Sequence, residues 1–355
     1  MTGHSLRLRR LRRFGTQAGA RKRGAQPKVV ALGGGRGLSA SLAALRRITG
    51  DLTAVVTVAD DGGSSGRLRE ELGVLPPGDL RKALAALCGD DDWGRTWSRV
   101  IQHRFQSRGE LHDHAVGNVL IVALWEQLGD HVQALDLVGK LLGAHGRVLP
   151  MSAVPLELQA LVRGHDPARP DEVGTVRGQA TVALTPGEVQ SVHLVPADPP
   201  AVPEAVAAVL DADWVVLGPG SWFSSVIPHL LVPELLDALV ETKARRVLSL
   251  NLAPQPGETD GFSPQRHLEV LGRHAPKLAL DVVLADEAAV PDRDSLAEAA
   301  RRLGAAVELA PVAVAGAASA AGEGPGGGVP KHDPELLAAA YDRIFRMHGR
   351  IGPWR

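Results

Sequence analysis

A single cysteine, Cys88, leaves this chain of 355 residues no internal disulfide framework and no multi-cysteine zinc or iron–sulfur site. A reducing compartment is the natural reading. No stretch approaches the ~20 uninterrupted apolar residues of a membrane-spanning helix, which excludes an integral membrane protein. Basic charge is also missing where a nucleic-acid binder needs it. Residues 1–27 hold eight basic side chains and no acid, so only 31 of the 39 basic groups are left to face 40 acidic ones over the remainder. An acidic body is a poor partner for nucleic acid. The N-terminal segment has no apolar core of signal-peptide length and reads as a disordered basic arm, with Leu6, Leu8, Leu11 and Phe14 giving it the means for weak contact with an anionic membrane surface.

What is present is ordinary globular material, with 45% hydrophobic and 22% charged residues. From Lys28 onward, short apolar runs alternate with amphipathic segments. Val29–Leu32 reads as a strand entering a glycine loop, Leu38–Ile48 as a helix, and Leu52–Ala59 as the next strand. From Pro76 to about Gly143 the signals are helical: Asp79 is placed to cap Leu80–Cys88, and Ala115–Leu128 is apolar nearly all round, as a buried helix is. Trp93 and Trp97 read as core anchors. Strands are expected at Gln179–Leu184 and Gln190–Val195, then at Trp214–Leu217, Val247–Leu252, Leu278–Leu284 and Ala306–Leu309. Residues 315–330 form a flexible Ala/Gly/Pro loop before a closing helix, Pro334–Met347, capped by Asp333. This order predicts one α/β domain over 28–355, a mostly parallel sheet with helices on both faces and a helical insertion at about 76–143.

Six loops carry the candidate chemistry. Gly33-Gly34-Gly35-Arg36-Gly37 sits at a strand-to-helix junction, where glycines let backbone amides approach a phosphate, although it is neither Gly-x-Gly-x-x-Gly nor a Gly-Lys-Ser/Thr loop. Asp60-Asp61-Gly62-Gly63-Ser64-Ser65 is too polar for ordinary packing, and its two carboxylates suit Mg²⁺ or sugar hydroxyls. Gly-x-Ser-x-Gly is matched literally at Gly62, Ser64 and Gly66, but the serine lies too far past the strand for a hydrolase elbow. Asp79, Arg81 and Lys82 open a helix, where the two cations imply a nearby anion. His112-Asp113-His114 lacks zinc spacing, whereas His114 and Asn118 lie four apart on one helical face and can address one ligand. Gly218-Pro219-Gly220-Ser221 is a second phosphate cradle, and the loop from Asn251 through Glu258 and Thr259 to Gly261 follows the next strand.

Taken in order, Leu32–Ser39, Val58–Arg69, Leu75–Arg81, His114–Asn118, Gly218–Ser221 and Gln255–Thr259 resemble the YvcK-like gluconeogenesis factors, a branch of the CofD-like superfamily of 2-phospho-lactate transferases. The resemblance implies a cytoplasmic protein with a Rossmann-like three-layer α/β sandwich, commonly a homodimer. It implies binding of a UDP-sugar such as UDP-N-acetylglucosamine, no firm catalytic activity, and a link to cell shape and cell-envelope synthesis proteins during growth on gluconeogenic carbon sources. The alternative it carries is a transferase moving a phospho-lactyl group from a GDP- or GTP-derived donor to a deazaflavin precursor with Mg²⁺. The first glycine loop favours the binding protein. Four positions depart from the family pattern: Arg36 replaces a threonine, Ala115-Val116 replace Ser-Leu, and Lys331 replaces an arginine. Arg36 and Lys331 each offer charge to a diphosphate, and Asp60 and Asp61 are the expected Mg²⁺ or hydroxyl ligands.

Overall fold

The structure is a computed structural model that describes residues 26–182, 184–314 and 330–349. The basic arm and almost all of the 315–330 loop lie outside the described residues. Strand β1 (Lys28–Gly33) leads into α1 (Gly35–Leu45), β2 (Asp51–Val56), α2 (Gly63–Leu72), α3 (Gly78–Leu87), α4 (Asp92–Gln102), α5 (Val116–Leu128), α6 (His131–Leu142) and β3 (Arg147–Pro150). Three antiparallel strands follow, β4 (Glu157–Arg163), β5 (Val173–Arg177) and β6 (Glu188–Val195), with the short α7 (Gln179–Val182) between the last two. Then come α8 (Pro203–Asp211), β7 (Trp214–Leu217), α9 (Pro233–Glu241), β8 (Arg245–Ser249), α10 (Pro264–His274), β9 (Val282–Asp286), α11 (Arg293–Arg302), β10 (Ala306–Ala310) and α12 (Pro334–Gly349).

The main sheet has seven strands in the order β10-β9-β8-β7-β1-β2-β3, and every pair is parallel. Strands β7 and β9 are buried from end to end and β1 at every position after Lys28, as Val, Leu and Ala runs without alternation require when both faces are covered. From β1 the chain steps outward to β2, whereas from β7 it steps the other way to β8. Right-handed crossovers therefore put α1 and α9 on opposite faces of the sheet. Helices α3 and α12 join α1, and α8 joins α9, which makes the three layers. The strand order reverses between β1 and β7, and that crevice at the strands' C-terminal ends is where open α/β sheets take ligands.

Several expectations change on inspection. Gln179–Val182 is a helical turn, not the start of a strand, because the Asp61 carboxylate accepts the Ala180 amide proton and fixes that turn. Strands β3, β4 and β5 had no counterpart in the sequence reading. Helix α5 buries Gly117, Asn118, Ile121, Val122 and Trp125 but leaves Val119 and Leu128 exposed, so an all-round apolar face did not mean all-round burial. Trp93 is exposed, with its indole N–H donating to the Leu141 carbonyl and its ring tilted against Trp97, which packs against the core. No single helix among the described residues is long and apolar enough to cross a membrane.

Candidate functional site

The first glycine loop is shaped by close approaches. A Cβ on Gly34 would lie 2.4 Å from Thr57 Cγ2 and 2.6 Å from Asp79 Oδ2, and one on Gly37 would lie 2.2 Å from the Pro219 carbonyl oxygen. Gly35 instead needs its freedom for conformation, with φ of 60° in open space. The first hydrogen bond of α1 runs from the Leu38 amide to the Gly34 carbonyl, so the amides before Leu38 have no acceptor in their own helix. One of them is claimed: the Gly35 amide donates to Asp79 Oδ2 at 2.9 Å, while Asp79 Oδ1 accepts from Lys82 at 2.8 Å. Asp79 is therefore no cap of its own helix, which starts at Gly78 after Pro77. It braces the glycine loop from across the site.

The second loop, after β7, contains a cis Gly218–Pro219 bond and two glycines at positive φ. Asn251 holds it from both sides, since Gly220 donates to Asn251 Oδ1 at 2.9 Å and Asn251 Nδ2 donates to the Gly220 carbonyl at 2.8 Å. Glu258 is buried beneath it. Its carboxylate accepts the Ser221 hydroxyl at 2.7 Å and the amides of Phe223 and Ser224 at 3.0 and 2.9 Å, capping the wide π-helical turn Trp222–Val226. Burial pushes this carboxyl up from its ordinary value, and the three hydrogen bonds that reach it pull it back down. Thr259, fully buried, accepts the Gln255 amide proton. Glu258 and Thr259, read from sequence as ligand contacts, are thus positioning residues, because their polar atoms are spent inside the protein.

Below Gly218, three hydroxyls from separate elements meet. Ser41 donates to the Gly218 carbonyl, and the Tyr341 hydroxyl lies 2.9 Å from Ser41 and 2.8 Å from Ser249. Full burial drives the phenol up to about 12. This network ties α12 to the cradle, and sequence reasoning missed it because serines 41 and 249 carry no motif.

The two loops converge on a cavity of about 510 Å³. Gly34–Gly37, Gly220, Ser221 and Asn251 line it as expected, and so does Lys331. Arg36 and Lys331 are exposed, and neither has a carboxylate partner among the described residues. Residues the sequence reading passed over complete the wall: Ala40, Leu252, Ala253 and Pro330 are apolar, and Ser225, Gln255 and His332 are polar. His332 joins the rim through an isolated bridge to Ala313, and burial lowers its ring to about 4, leaving it neutral.

Asp60, Gly62, Ser64, Ser65, Arg81 and Asn118 do not line this cavity but a neighbouring one of about 220 Å³, beyond Asp79. Asp60 and Asp61 point apart. Asp60 accepts the Gly62 amide and lies beside Ser65 and Gly78, while Asp61 accepts from Ala180, near Gly178. A Mg²⁺ ion shared by these two carboxylates does not fit, and among the described residues no cluster of three or more His, Cys, Asp or Glu could hold a metal. His114 and Asn118 do face one group, the Ser64 hydroxyl. It accepts from Asn118 Nδ2 at 3.0 Å and the Ala115 amide at 3.3 Å, so its own proton goes to His114 Nδ1 at 3.2 Å. Burial, followed by the charge of Arg67, lowers His114, in keeping with a neutral ring protonated on Nε2.

Residues 29–314 match the model of the CofD family, described as 2-phospho-L-lactate transferase CofD. The chain belongs to the CofD family. It is 52% identical over 319 residues to a protein of Mycobacterium tuberculosis named "Putative gluconeogenesis factor", covering 89% of this chain and 90% of that one. It is 37% identical to the "Gluconeogenesis factor" of Listeria monocytogenes, covering 76% of this chain and 80% of that one. A crystal structure of a UPF0052 family member from Bacillus halodurans superimposes with a TM-score of 0.76 at 30% identity, covering 89% of this chain and 99% of that one. In this chain both glycine loops stand at the sheet's switch point, with Arg36 and Lys331 at the rim of the cavity between them.

Proposed function

We propose that the cavity between the two glycine loops binds a nucleotide-sugar, with a UDP-sugar the expected ligand, and that the chain serves growth on gluconeogenic carbon as a binding protein tied to cell-envelope synthesis. One observation carries the reading: two amide-bearing turns meet at the strand-order reversal over one cavity, with Arg36 and Lys331 at its rim unclaimed by any carboxylate of the described residues. A diphosphate supplies the charge that these amides and cations lack. The wall of Ala40, Leu252, Ala253 and Pro330 gives a base or sugar ring an apolar surface to lie on. The gluconeogenesis-factor names of the relatives support the role in growth.

The reading supposes no turnover. Asn251, Glu258 and Asp79 hold the loops, and the one histidine on the cavity wall, His332, is neutral and tied into the backbone. The family description favours a second reading, transfer of a phospho-lactyl group from a guanine-nucleotide donor. Calorimetry with UDP-sugars, UDP and GDP, each with and without Mg²⁺, separates the two. Selective UDP-sugar binding that weakens about tenfold or more in Lys331→Glu supports the binding protein. Silence toward every UDP-sugar, with GDP binding that requires Mg²⁺, replaces it with the transferase.

A further inference from the structure

The smaller cavity contains a contradiction that its own side chains do not resolve. Arg81 is only 4% exposed, yet its Nε has no hydrogen-bond partner and no carboxylate forms an ion pair with it among the described residues. The other cations lining this cavity are matched: Lys82 pairs with Asp79 at 2.8 Å, and Arg104 with Asp113 at 3.1 Å. An unpaired buried guanidinium is costly, and Arg104 nearby adds repulsion. Asn118, 1% exposed, presents the complementary problem, because its Oδ1 is a buried acceptor without a donor.

Helix α2 starts on the same cavity. Its N-cap is Gly62, with no side-chain cap and no acid in the first turn, and its first internal bond runs from the Gly66 amide to the Gly62 carbonyl. The amides of Gly63, Ser64 and Ser65 therefore have no acceptor within the helix, and these three residues line the cavity with Arg81 and Asn118. Asp79 and Asp60 are both unfavourable to an anion here, but Asp79 is divided between the Gly35 amide and Lys82, and Asp60 already accepts the Gly62 amide and lies beside the Ser65 hydroxyl.

We propose that this cavity is a phosphate site, separate from the nucleotide cavity, that holds one protonated phosphate group between Arg81, Lys82 and the first turn of α2, with its P–OH donated to Asn118 Oδ1. Hydrogen phosphate offers both things the site lacks, oxygens for a guanidinium and one hydroxyl proton for an amide oxygen. Sulfate at neutral pH offers only the oxygens. The group can belong to free inorganic phosphate or to a small phosphomonoester, and the site does not depend on what the larger cavity binds.

The test is titration of the full chain with inorganic phosphate, methyl phosphate and sulfate, read by calorimetry and by melting temperature. Saturable phosphate binding, with sulfate about tenfold weaker, is expected. Methyl phosphate binding as well as phosphate assigns the site to monoesters; loss of affinity on methylation assigns it to the free ion. Arg81→Met should abolish phosphate binding yet raise the melting temperature in phosphate-free buffer, since it removes an unpaired buried charge at similar volume. Lys82→Met, at a half-exposed position, should weaken phosphate several-fold and serves if the Arg81 variant does not fold. Lys331→Glu should leave phosphate binding unchanged, which separates this site from the nucleotide reading. Absence of phosphate binding in the wild type, equal affinity for sulfate, or phosphate binding that survives both Arg81→Met and Lys82→Met overturns the proposal.

Discussion

Asp79 shows how one residue's role shifts once its neighbours are known. Its position at the head of a helix suggests a cap, but its two oxygens are divided between the Gly35 amide and Lys82, so it fixes the first glycine loop from outside. Asp79→Asn puts an amide N–H against the donors Gly35 or Lys82. It should lower stability by about 1.5–3 kcal/mol, the range for a charge-assisted bond, measured by urea denaturation. His229 gives a sharper residue-scale test. Its ring is fully buried, with Nδ1 3.0 Å from the Ser225 carbonyl and Nε2 3.1 Å from the Val55 carbonyl. A cation would satisfy both carbonyls, yet desolvation wins and lowers the ring to about 4. A depressed folded value means that the unfolded chain binds the proton first. The stability contributed by neutral His229 is therefore complete above the ordinary value of 6.5 and is lost as pH falls toward 4. The loss should approach about 3 kcal/mol, and His229→Gln should make the melting-temperature profile shallower across that window, with the slope due to His332, also lowered to about 4, remaining.

At the scale of elements, the βα units were readable because strand and helix announce themselves by different periods and a glycine loop marks each junction. β1, β2, β7, β8 and β10 fall within a few residues of where sequence placed them, as does α12, with Asp333 accepting the Glu335 and Leu336 amides. β4 and β5 were missed because β4 puts an apolar residue, Leu161, at an outward-facing position of its alternation and the short β5 buries only Val176. The candidate site was legible as a set of loops but not as a partition. Spacing along the chain places Gly33–Gly37 and Asp60–Ser65 on one rim, whereas only the fold shows Asp79 standing between two cavities and Glu258 turned inward. The glycines of the first loop make an element-scale prediction. Gly37→Ala drives a Cβ into the Pro219 carbonyl, a backbone atom that cannot swing away, so α1 and the β7 loop must separate. Gly35→Ala meets nothing and costs only the left-handed backbone, about 1–2 kcal/mol. Gly37→Ala should therefore reduce both nucleotide-sugar affinity and stability far more than Gly35→Ala, read by calorimetry beside thermal melts.

For the molecule as a whole, the larger cavity is assembled from chain segments far apart in sequence: the first loop, the β7 loop, the stretch after β8 and the segment before α12. They are coupled by hydrogen bonds, from Asn251 to Gly220 between the loops after β8 and β7, and across the sheet's switch point from Ser41 to Gly218 and from Tyr341 to both Ser41 and Ser249. A ligand seated there closes contacts with all of these segments at once, and at a hundred times its dissociation constant it stabilises the folded chain by about 2.7 kcal/mol. Hydrogen exchange should accordingly slow in concert at residues 34–38, 219–225, 251–255 and 331–332 when a UDP-sugar is added. Tyr341→Phe removes the hydroxyl that joins α12 to α1 and β8, leaving the Ser249 hydroxyl without its tyrosine partner. In that variant the first three segments should still be protected by ligand while 331–332 exchanges faster than in the wild type. Protection confined to one glycine loop in the wild-type chain would mean that the cavity does not act as one site, and the nucleotide-sugar reading would fail with it.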